Sequence, residues 1–325
     1  MVRDTELLAD RFEEHRGRLR AVAYRMLGSL AEAEDAVQEA WLKLSRSDAD
    51  EIDNLGGWLT TVVGRVCLDM LRSRTRRHEE PLDDTFVPDP VIRPLTQIDP
   101  EQEVLQADSV GLALLVVLET LEPAERIAFV LHDMFAVPFD DIAPVVERSS
   151  AATRQLASRA RRRVKGATPT SEPDLGRQRQ VLDAFMAASR AGDFEALLAV
   201  LDPDIVLRVD SGPLVGGAAA SKVVRGAKPV AEQAMLFREF ARYARLVYVN
   251  GAVGVLNAPE GQPQSVLGVT IAGGRITEMY ILADPERLAG LDLPDLGPVL
   301  SSPPAPRRPA RTLGARRHRT GGSAT

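Results

Sequence analysis

The sequence predicts a multidomain protein in which two all-α domains, an N-terminal helical bundle and a C-terminal helix-turn-helix, precede an α+β domain. Three observations predict this class. The chain has 325 residues, which corresponds to about two or three domains. Apolar residues before about residue 165 recur at helical spacing. Beyond residue 200, short alternating segments flank the hairpin signals Asn250-Gly251 and Gly273-Gly274.

The composition excludes several classes of protein. Hydrophobic residues make up 45% and charged residues 26%, as in soluble globular proteins. The single cysteine excludes an internal disulfide, and the four scattered histidines do not predict a metal site. No apolar run is long enough for a membrane span, and the N-terminus has no signal-peptide core. We therefore expect no cofactor, no metal, no contact with a membrane, and a reducing cytoplasm as the location.

The net charge of −6 hides two concentrated basic stretches. Seven basic residues and no acidic ones lie between Arg148 and Ser171, and six arginines and no acids lie between Arg307 and Arg319. The rest of the chain is strongly acidic. This asymmetry indicates a polyanionic partner that the protein meets at defined places.

The first helical segment covers residues 5–78. It contains two apolar runs separated by Gly28-Ser29, where Ser29 is a plausible N-cap, and a third helix after Asn54. A linker follows over 79–103, with five prolines and eight acids against one base, so we expect extended backbone there.

The second helical segment covers residues 104–166 and ends in two short helices, predicted at 139–146 and 150–164. Their tight break at Glu147-Arg148-Ser149 matches the outline of a helix-turn-helix.

The third segment, 177–292, predicts two helices, a strand at 205–209, a further helix at about 229–243 and four more strands in one antiparallel sheet. We expect Asp202-Pro203-Asp204 to form the turn that precedes the first strand. The tail, 293–325, is rich in Pro, Arg, Gly and Ser and is predicted to be disordered.

The second of the two short helices carries the strongest functional pattern. Its polar face combines residues that bind base edges and phosphates. These are Arg154, Gln155, Ser158, Arg159 and Arg162. A solvated basic helix is the alternative interpretation, and the short helix and turn before it make that alternative less favoured.

Two further patterns are weak when taken alone. Residues 31–44 form an amphipathic helix with an acidic stripe, which ordinary surface helices also show. Residues 58–77 combine Trp58 with a basic edge that suits opened DNA, although the tryptophan alone could be a core residue. The arginines of this edge are Arg65, Arg72, Arg74, Arg76 and Arg77.

Together, in this order, the three patterns resemble an extracytoplasmic-function (group 4) sigma factor of bacterial RNA polymerase. The segments that carry the resemblance are AYRMLGSLAEAEDAVQEAWLKL, NLGGWLTTVVGRVCLDMLRSRTRR and PFDDIAPVVERSSAATRQLASRARRRV. They are similar to the family's core-binding helices, its −10 recognition and melting segment (region 2), and its −35-reading helix-turn-helix (region 4).

The resemblance implies a function and a set of contacts. The chain would direct core RNA polymerase to specific promoters, bind its β′ clamp helices and β subunit, and be a monomer when free. The core-binding residues would be Asp35, Gln38, Glu39, Trp41 and Leu42. Asn54 would hold a flipped −10 base, Trp58 and the basic edge would grip the opened strand, and the acidic linker would run through the polymerase interior.

Residues beyond 170 resemble a fused, cone-shaped SnoaL-like domain of one sigma-factor subgroup. ALLAVLDPDIVLRVDSG and YILADPERLAGL carry this likeness. Its closing motif implies a regulatory interface formed by Asp284, Pro285, Glu286, Arg287 and Leu288. Either Pro81-Leu82-Asp83-Asp84 or Phe86-Val87-Pro88-Asp89-Pro90 stands where the subgroup has a tryptophan-containing linker signature. We expect this domain to modulate promoter activity in cis.

Two other functions stay open on the sequence. One is a SnoaL-type ligand sensor or cyclase-like enzyme fused to a DNA-binding module, with Asp193, Asp202, Asp204, Asp210 and Tyr243 as the available acid/base groups. We do not expect catalysis, because 177–292 contains no histidine and Asp202 and Asp204 fit a turn better. The other is a helix-turn-helix repressor, which leaves residues 5–78 and the acidic linker without a role.

Overall fold

The computed structural model of the chain describes residues 2–47, 52–77, 85–95, 111–167, 171–212 and 220–294. The first helical domain consists of α1 (Val2–Leu27), α2 (Leu30–Leu44) and α3 (Leu55–Arg77). Ser29 caps α2 by accepting a hydrogen bond from the amide of Glu32, as the sequence predicts. Apolar faces of the three helices meet in one core that includes Val22, Val37 and Leu59.

The second helical domain begins with α4 (Leu112–Glu119) and α5 (Pro123–Phe129), which continues into a π-helical turn (Val130–Met134). The predicted helix pair follows as α6 (Phe139–Val146) and α7 (Ser150–Ala167). Glu147, in the left-handed conformation at φ 57°, ends α6. This turn fixes the angle between α6 and α7 and so determines which face of α7 points outward.

The C-terminal domain packs helices against one curved sheet. Its helices are α8 (Leu175–Ala191), α9 (Phe194–Val200), α10 (Ala227–Leu236), a 3₁₀ turn (Arg238–Tyr243) and α11 (Pro285–Ala289). Its strands are β2 (Leu201–Asp210), β3 (Lys222–Arg225), β4 (Ala244–Val249), β5 (Ala252–Asn257), β6 (Ser265–Ala272) and β7 (Arg275–Leu282). The predicted multidomain class, with two helical domains before an α+β domain, is confirmed.

The linker contributes a strand of its own, β1 (Ile92–Pro94), which pairs antiparallel with β4. The seven strands have the order β1-β4-β5-β6-β7-β2-β3. Part of the linker is therefore an edge strand of the C-terminal sheet. Backbone hydrogen bonds tie the two together: the amide of Asn250 donates to the carbonyl of Val91 over 2.9 Å.

The two faces of the sheet pack against different partners, because successive side chains on a strand point to opposite sides. Val247, Val249 and Leu282 belong to a core shared with both helical domains. Tyr248 and Met279 belong to the separate core of the C-terminal domain. At the shared face, a Cβ on Gly268 would lie 2.4 Å from Leu112 Cδ1, so α4 approaches the sheet closely at a residue without a side chain.

Three details of the predicted sheet are wrong. β2 pairs parallel with β7, so the sheet is mixed rather than antiparallel. Asp202-Pro203-Asp204 lies inside β2 rather than before it, at a register shift between Leu201 and Val206. Asp202 accepts a hydrogen bond from the Asp204 amide there, so this turn chemistry forms a bulge within the strand. Strands β1 and β3 were not predicted. The predicted disordered tail lies outside the described residues except for its first two positions.

Candidate functional site

Helix α7 presents its predicted polar face to solvent. Thr153, Ala157 and Ala160 are buried and fix the helix against the rest of its domain. Opposite them lie exposed residues that match the predicted base-reading set: Arg154, Gln155, Ser158, Arg159 and Arg162. The guanidinium of Arg154 lies 5.6 Å from the ring centroid of Phe139, a cation–π contact that orients it beside the turn.

Several arginines of α7 are held by acids of the same domain. The buried Glu125 accepts hydrogen bonds from Arg159 over 2.8 Å and from Arg163 over 3.1 Å. Asp133 binds Arg161 over 2.7 Å, and this bond raises the pKa of the guanidinium. These carboxylates hold the cations close to the helix without neutralising the whole face.

The outer face of α2 is open. Asp35, Gln38 and Leu42 are exposed, while Glu39 and Trp41 are half-buried. Glu39 pairs with Lys43 over 3.2 Å, and Trp41 packs against Phe12 with ring centroids 5.2 Å apart. The structure therefore brings all five predicted core-binding residues to one helix, with an aromatic anchor at its edge.

Asn54 caps the N-terminus of α3: its side-chain oxygen accepts a hydrogen bond from the Gly57 amide over 3.0 Å. Asn54 is exposed and Trp58, one turn later, is half-buried. Gly57 leaves little room beside this cap, since a Cβ there would lie 2.7 Å from Asn54 Nδ2. The predicted −10 pocket residues are thus adjacent at the beginning of one helix.

Further along, α3 packs against the second helical domain. Arg65 donates to the carbonyl of Pro144 in α6 over 3.3 Å, and Arg72 pairs with Glu147 of the following turn over 3.5 Å. Next to Arg65, a Cβ on Gly64 would lie 3.2 Å from Leu131 Cδ1. Two of the predicted DNA-contacting arginines therefore touch protein in this structure, and Arg76 remains exposed.

Arg74 does not belong to an exposed basic edge, and that part of the prediction is wrong. Its guanidinium donates to the carbonyl of Leu27 over 3.1 Å and pairs with Glu32. Burial lowers its pKa, and the nearby carboxylate of Glu119 opposes that change. The arginine closes the C-terminal end of α1, where unpaired helix carbonyls favour a cation.

A buried arginine also joins the two helical domains. Arg126 of α5 donates from one nitrogen to the carbonyl of Met26 over 2.9 Å and to Glu119 over 2.8 Å. Both side chains are almost inaccessible to solvent. Because a buried charge is tolerated only when paired and hydrogen-bonded, this contact fixes α1 against α4 and α5.

The predicted regulatory motif meets the linker through Arg287. Its guanidinium binds Asp89 over 2.5 Å, Asp210 over 2.7 Å and the carbonyl of Val87 over 2.6 Å, and it lies 4.9 Å from the ring centroid of Phe86. Asp284 caps α11 by accepting hydrogen bonds from the amides of residues 286 and 287, which orients the arginine. Leu288 is buried, whereas Pro285 and Glu286 are exposed.

The first helical domain joins the same cluster. Asp89 accepts a hydrogen bond from the Leu30 amide over 2.8 Å, and its carbonyl accepts one from the Tyr24 hydroxyl over 2.5 Å. Asn250 donates to that hydroxyl over 3.0 Å and accepts from the Val91 amide over 2.9 Å. Burial raises the pKa of Tyr24, so its hydroxyl stays neutral and keeps its proton to donate. We call Tyr24, Asp89, Asp210, Asn250 and Arg287 the junction.

Comparison with known proteins decides the family. The family models "Sigma-70 region 2" and "Sigma-70, region 4" match residues 11–77 and 111–164. The chain is 37% identical over 298 residues to ECF RNA polymerase sigma factor SigJ of Mycobacterium tuberculosis, covering 87% of this chain and 93% of that protein. The chain belongs to the ECF RNA polymerase sigma factors.

Two more relatives support the whole architecture of this sigma factor. It is 36% identical over 277 residues to the probable ECF RNA polymerase sigma factor SigI of Mycobacterium tuberculosis, covering 84% of this chain and 92% of that protein. The crystal structure of Mycobacterium tuberculosis SigJ matches with a TM-score of 0.69 at 35% identity, covering 88% of this chain and 100% of that one. The likeness thus includes the α+β domain, and the predicted SnoaL-like arrangement is confirmed.

This sigma factor is a transcription initiation factor rather than an enzyme, as predicted. Two of the carboxylates considered as catalytic groups have structural roles: Asp193 caps α9 by accepting from the Ala196 amide, and Asp210 binds Arg287. Within the described ranges, no cluster of metal-binding side chains occurs. In the same part of the chain, none of the helices combines the length and apolarity needed to cross a bilayer.

The sequence did not predict that Tyr24, Asp89, Asp210 and Asn250 form a junction with Arg287. Each lies in a segment that shows no regulatory pattern by itself. The members are also far apart in the chain: Tyr24 and Asn250 are separated by 226 residues. A partial signal existed for two of them. Asp89 lies in one of the two segments that stand in place of the subgroup's linker signature, and Asp210 is among the acid/base groups available to a cyclase-like enzyme.

Proposed function

We propose that this chain is a promoter-specificity subunit whose −10-reading helix is covered in the free protein, and that the C-terminal domain maintains this closed arrangement through the junction. The observation that carries the proposal is the contact between α3 and α6. Arg65 and Pro144 are 3.3 Å apart, so the −10 and −35 modules touch each other.

The geometry of a promoter is incompatible with that contact. The −10 and −35 elements are separated by about 25 base pairs, or about 85 Å of duplex at 3.4 Å per base pair. Modules in direct contact cannot reach both elements of one promoter. Opening must therefore separate α3 from the second helical domain before both elements are read.

The linker is the connection that has to extend during this opening. In the closed arrangement it is held at both sides of the junction: Asp89 binds the first helical domain and Arg287, and β1 pairs with β4. Because the C-terminal domain is covalently attached, its effective concentration at the linker is high, and it competes with polymerase even through a modest contact.

The open α2 face supports an order of events. The five predicted core-binding residues of α2 do not contact the second helical domain and would bind the β′ clamp helices first. They are Asp35, Gln38, Glu39, Trp41 and Leu42. The β subunit would then bind the second helical domain. In this scheme the exposed α7 residues read −35. The −10 element is then bound by residues at the start of α3 and along it: Asn54, Trp58, Arg65, Arg72 and Arg76. We expect the free chain to be a monomer.

The experiment uses the full chain with Arg287→Ala. Removing the guanidinium leaves two largely buried carboxylates, Asp89 and Asp210, without their cation, which weakens the junction by about 3 kcal/mol. We expect higher affinity for a single-stranded −10 oligonucleotide in the absence of polymerase, and altered run-off transcription with core enzyme.

The matched control is Arg179→Ala, since Arg179 forms an exposed ion pair with Asp183 on α8 and such pairs contribute little. Wild-type protein and the control should behave alike. If Arg287→Ala leaves both −10 binding and promoter output equal to those of the control, regulation through the junction is wrong, while membership of the sigma family is unaffected.

A further inference from the structure

The C-terminal domain contains a cavity of about 340 Å³ between the inner face of its sheet and α8 and α10. Its volume lies within the range of small-molecule sites, about 300–1,000 Å³. The lining is mainly apolar and includes Phe185, Leu207, Val255, Met279 and Ile281. An engineered cavity of about 150 Å³ holds benzene, so this one accommodates a molecule of about two fused rings.

Three polar atoms in this lining have no hydrogen-bond partner in the described part of the chain, although each is shielded from solvent. They are Ser189 Oγ, Gln233 Nε2 and Asn257 Oδ1. Buried polar groups are almost always paired, because leaving one unpaired loses its bonds to water without replacement. The set contains an amide donor, an amide acceptor and a hydroxyl that can act as either.

We propose that this cavity binds a small, neutral, mainly apolar molecule that bears a hydroxyl group. The apolar walls take the ring system, the ligand's hydroxyl oxygen accepts from Gln233 Nε2 and from the Ser189 hydroxyl, and its proton is donated to Asn257 Oδ1. A hydroxyl is the smallest group that both accepts from an amide nitrogen and donates to an amide oxygen. Binding at this site stands independently of the function proposed above.

The cavity has an apolar entrance. Phe237 and Phe240 contribute to its lining and are also 38% and 40% exposed. Leu236, 69% exposed, lies next to them on the surface. Exposed large apolar side chains grouped at a cavity mouth are typical of a path for an apolar ligand.

The chemistry of the lining favours binding over turnover. Among its described residues there is no carboxylate, imidazole or thiol. Lys222 is the charged side chain among them, and burial lowers its pKa. A general acid and a general base are usually separate titratable groups, and the described lining supplies only one such group, Lys222.

The cavity shares a wall with the junction. Val209 and Ser211 line it, and Asp210 between them binds Arg287 and the Val87 amide. Ala283, also in the lining, precedes the capping residue Asp284 and donates its amide to the Asp210 carbonyl over 2.7 Å. A ligand packed behind these strand ends holds Asp210 in place and stabilises the closed arrangement. This regulatory step rests on the proposed function.

The probes are 2-naphthol and naphthalene, which have the same two-ring shape and differ by one hydroxyl. Titration of the full chain, followed by ligand fluorescence, should give one site with 2-naphthol bound on the order of tenfold more tightly than naphthalene. Asn257→Leu should erase this difference and retain naphthalene binding. Ala241→Trp, which fills the cavity, should abolish both.

Gln262→Leu is the matched control, because it makes a similar change at an exposed residue outside the lining. Ser189→Ala removes a hydroxyl with almost no change in volume and remains informative if a bulkier variant unfolds; it should weaken 2-naphthol alone. The proposal is overturned if neither probe saturates, if both bind equally, or if binding survives Ala241→Trp in a folded protein.

The regulatory step is measured separately. Saturating 2-naphthol should lower the affinity of the wild-type chain for a single-stranded −10 oligonucleotide severalfold, and should not affect the Ala241→Trp variant. Unchanged −10 affinity with intact ligand binding overturns the coupling and leaves the site. If Arg287→Ala also has no effect on −10 binding, the fault lies in the proposed closed arrangement instead.

Discussion

The two basic helices of this sigma factor differ in what covers them. The arginines of α7 are exposed to solvent, and some of them pair with Glu125 and Asp133 of the same domain. α3 packs against the neighbouring domain through Arg65 and Arg72. Both helices are amphipathic and arginine-rich, so sequence alone treats them alike.

This contrast indicates that the closed arrangement restrains one of the two DNA-binding steps. In the proposed function, duplex recognition at −35 uses only the exposed face of α7, whereas capture of an opened −10 strand uses α3. We therefore expect the free chain to bind −35 duplex and to be defective in −10 binding.

A disulfide between α3 and α6 should fix the closed arrangement. The Cβ position of Gly64 lies 3.7 Å from Val145 Cγ1, an atom in the place that a cysteine sulfur would take, so the two side chains face each other across the contact. In the double variant Gly64→Cys and Val145→Cys, oxidation should abolish −10 oligonucleotide binding and run-off transcription. Affinity for −35 duplex should not change, since α7 stays exposed.

Reduction should restore both activities, and each single variant should be insensitive to oxidant. The natural Cys67 will not interfere, because it is buried and burial raises the pKa of its thiol. Full transcription by the cross-linked chain would mean that α3 and α6 need not separate.

Within α7, Arg159 and Arg163 form a matched pair, because both bind Glu125 in the free chain. Replacing either arginine by Ala removes one ion pair with Glu125. Because this loss is common to both variants, it does not affect the comparison of their DNA binding. Arg159→Ala should weaken the preferred −35 duplex about tenfold and relax base preference, whereas Arg163→Ala should weaken all duplexes evenly and reduce the salt slope by about one. Binding isotherms over several salt concentrations measure both. Identical sequence profiles for the two variants would contradict a base-reading role for Arg159.

The smallest effect is expected at Asn250. Asn250→Ala leaves the Val91 amide without its acceptor and costs about 1–3 kcal/mol at the junction. Binding of the −10 oligonucleotide should rise severalfold, less than with Arg287→Ala. Gln180→Ala, on an exposed face of α8, is the control. A variant that unfolds earlier in urea but binds the oligonucleotide as wild type would mean that Asn250 stabilises the C-terminal domain without restraining α3.

Local patterns predicted much of the fold. The helix pair α6 and α7, the Ser29 cap and the hairpin signals all follow from neighbouring residues. The errors arose where a distant partner decides the conformation. β1 is a strand only because β4 offers an edge, and Asp202-Pro203-Asp204 forms a bulge because β7 continues beside it. Arg74 has the composition of a surface residue, yet its guanidinium is partly buried because it donates to the Leu27 carbonyl at the end of α1.

The amino-acid sequence was sufficient to identify the family, the two helical domains, and the residues that face outward on α2 and α7. Those features depend on periodicity and side-chain chemistry within one segment. Contacts in the folded molecule were needed to show that α3 is covered, that Arg287 reaches Asp89 in the linker, and that three residues with an unpaired polar atom line one cavity. Such outcomes depend on contacts between residues far apart in the chain, and no local spacing encodes them.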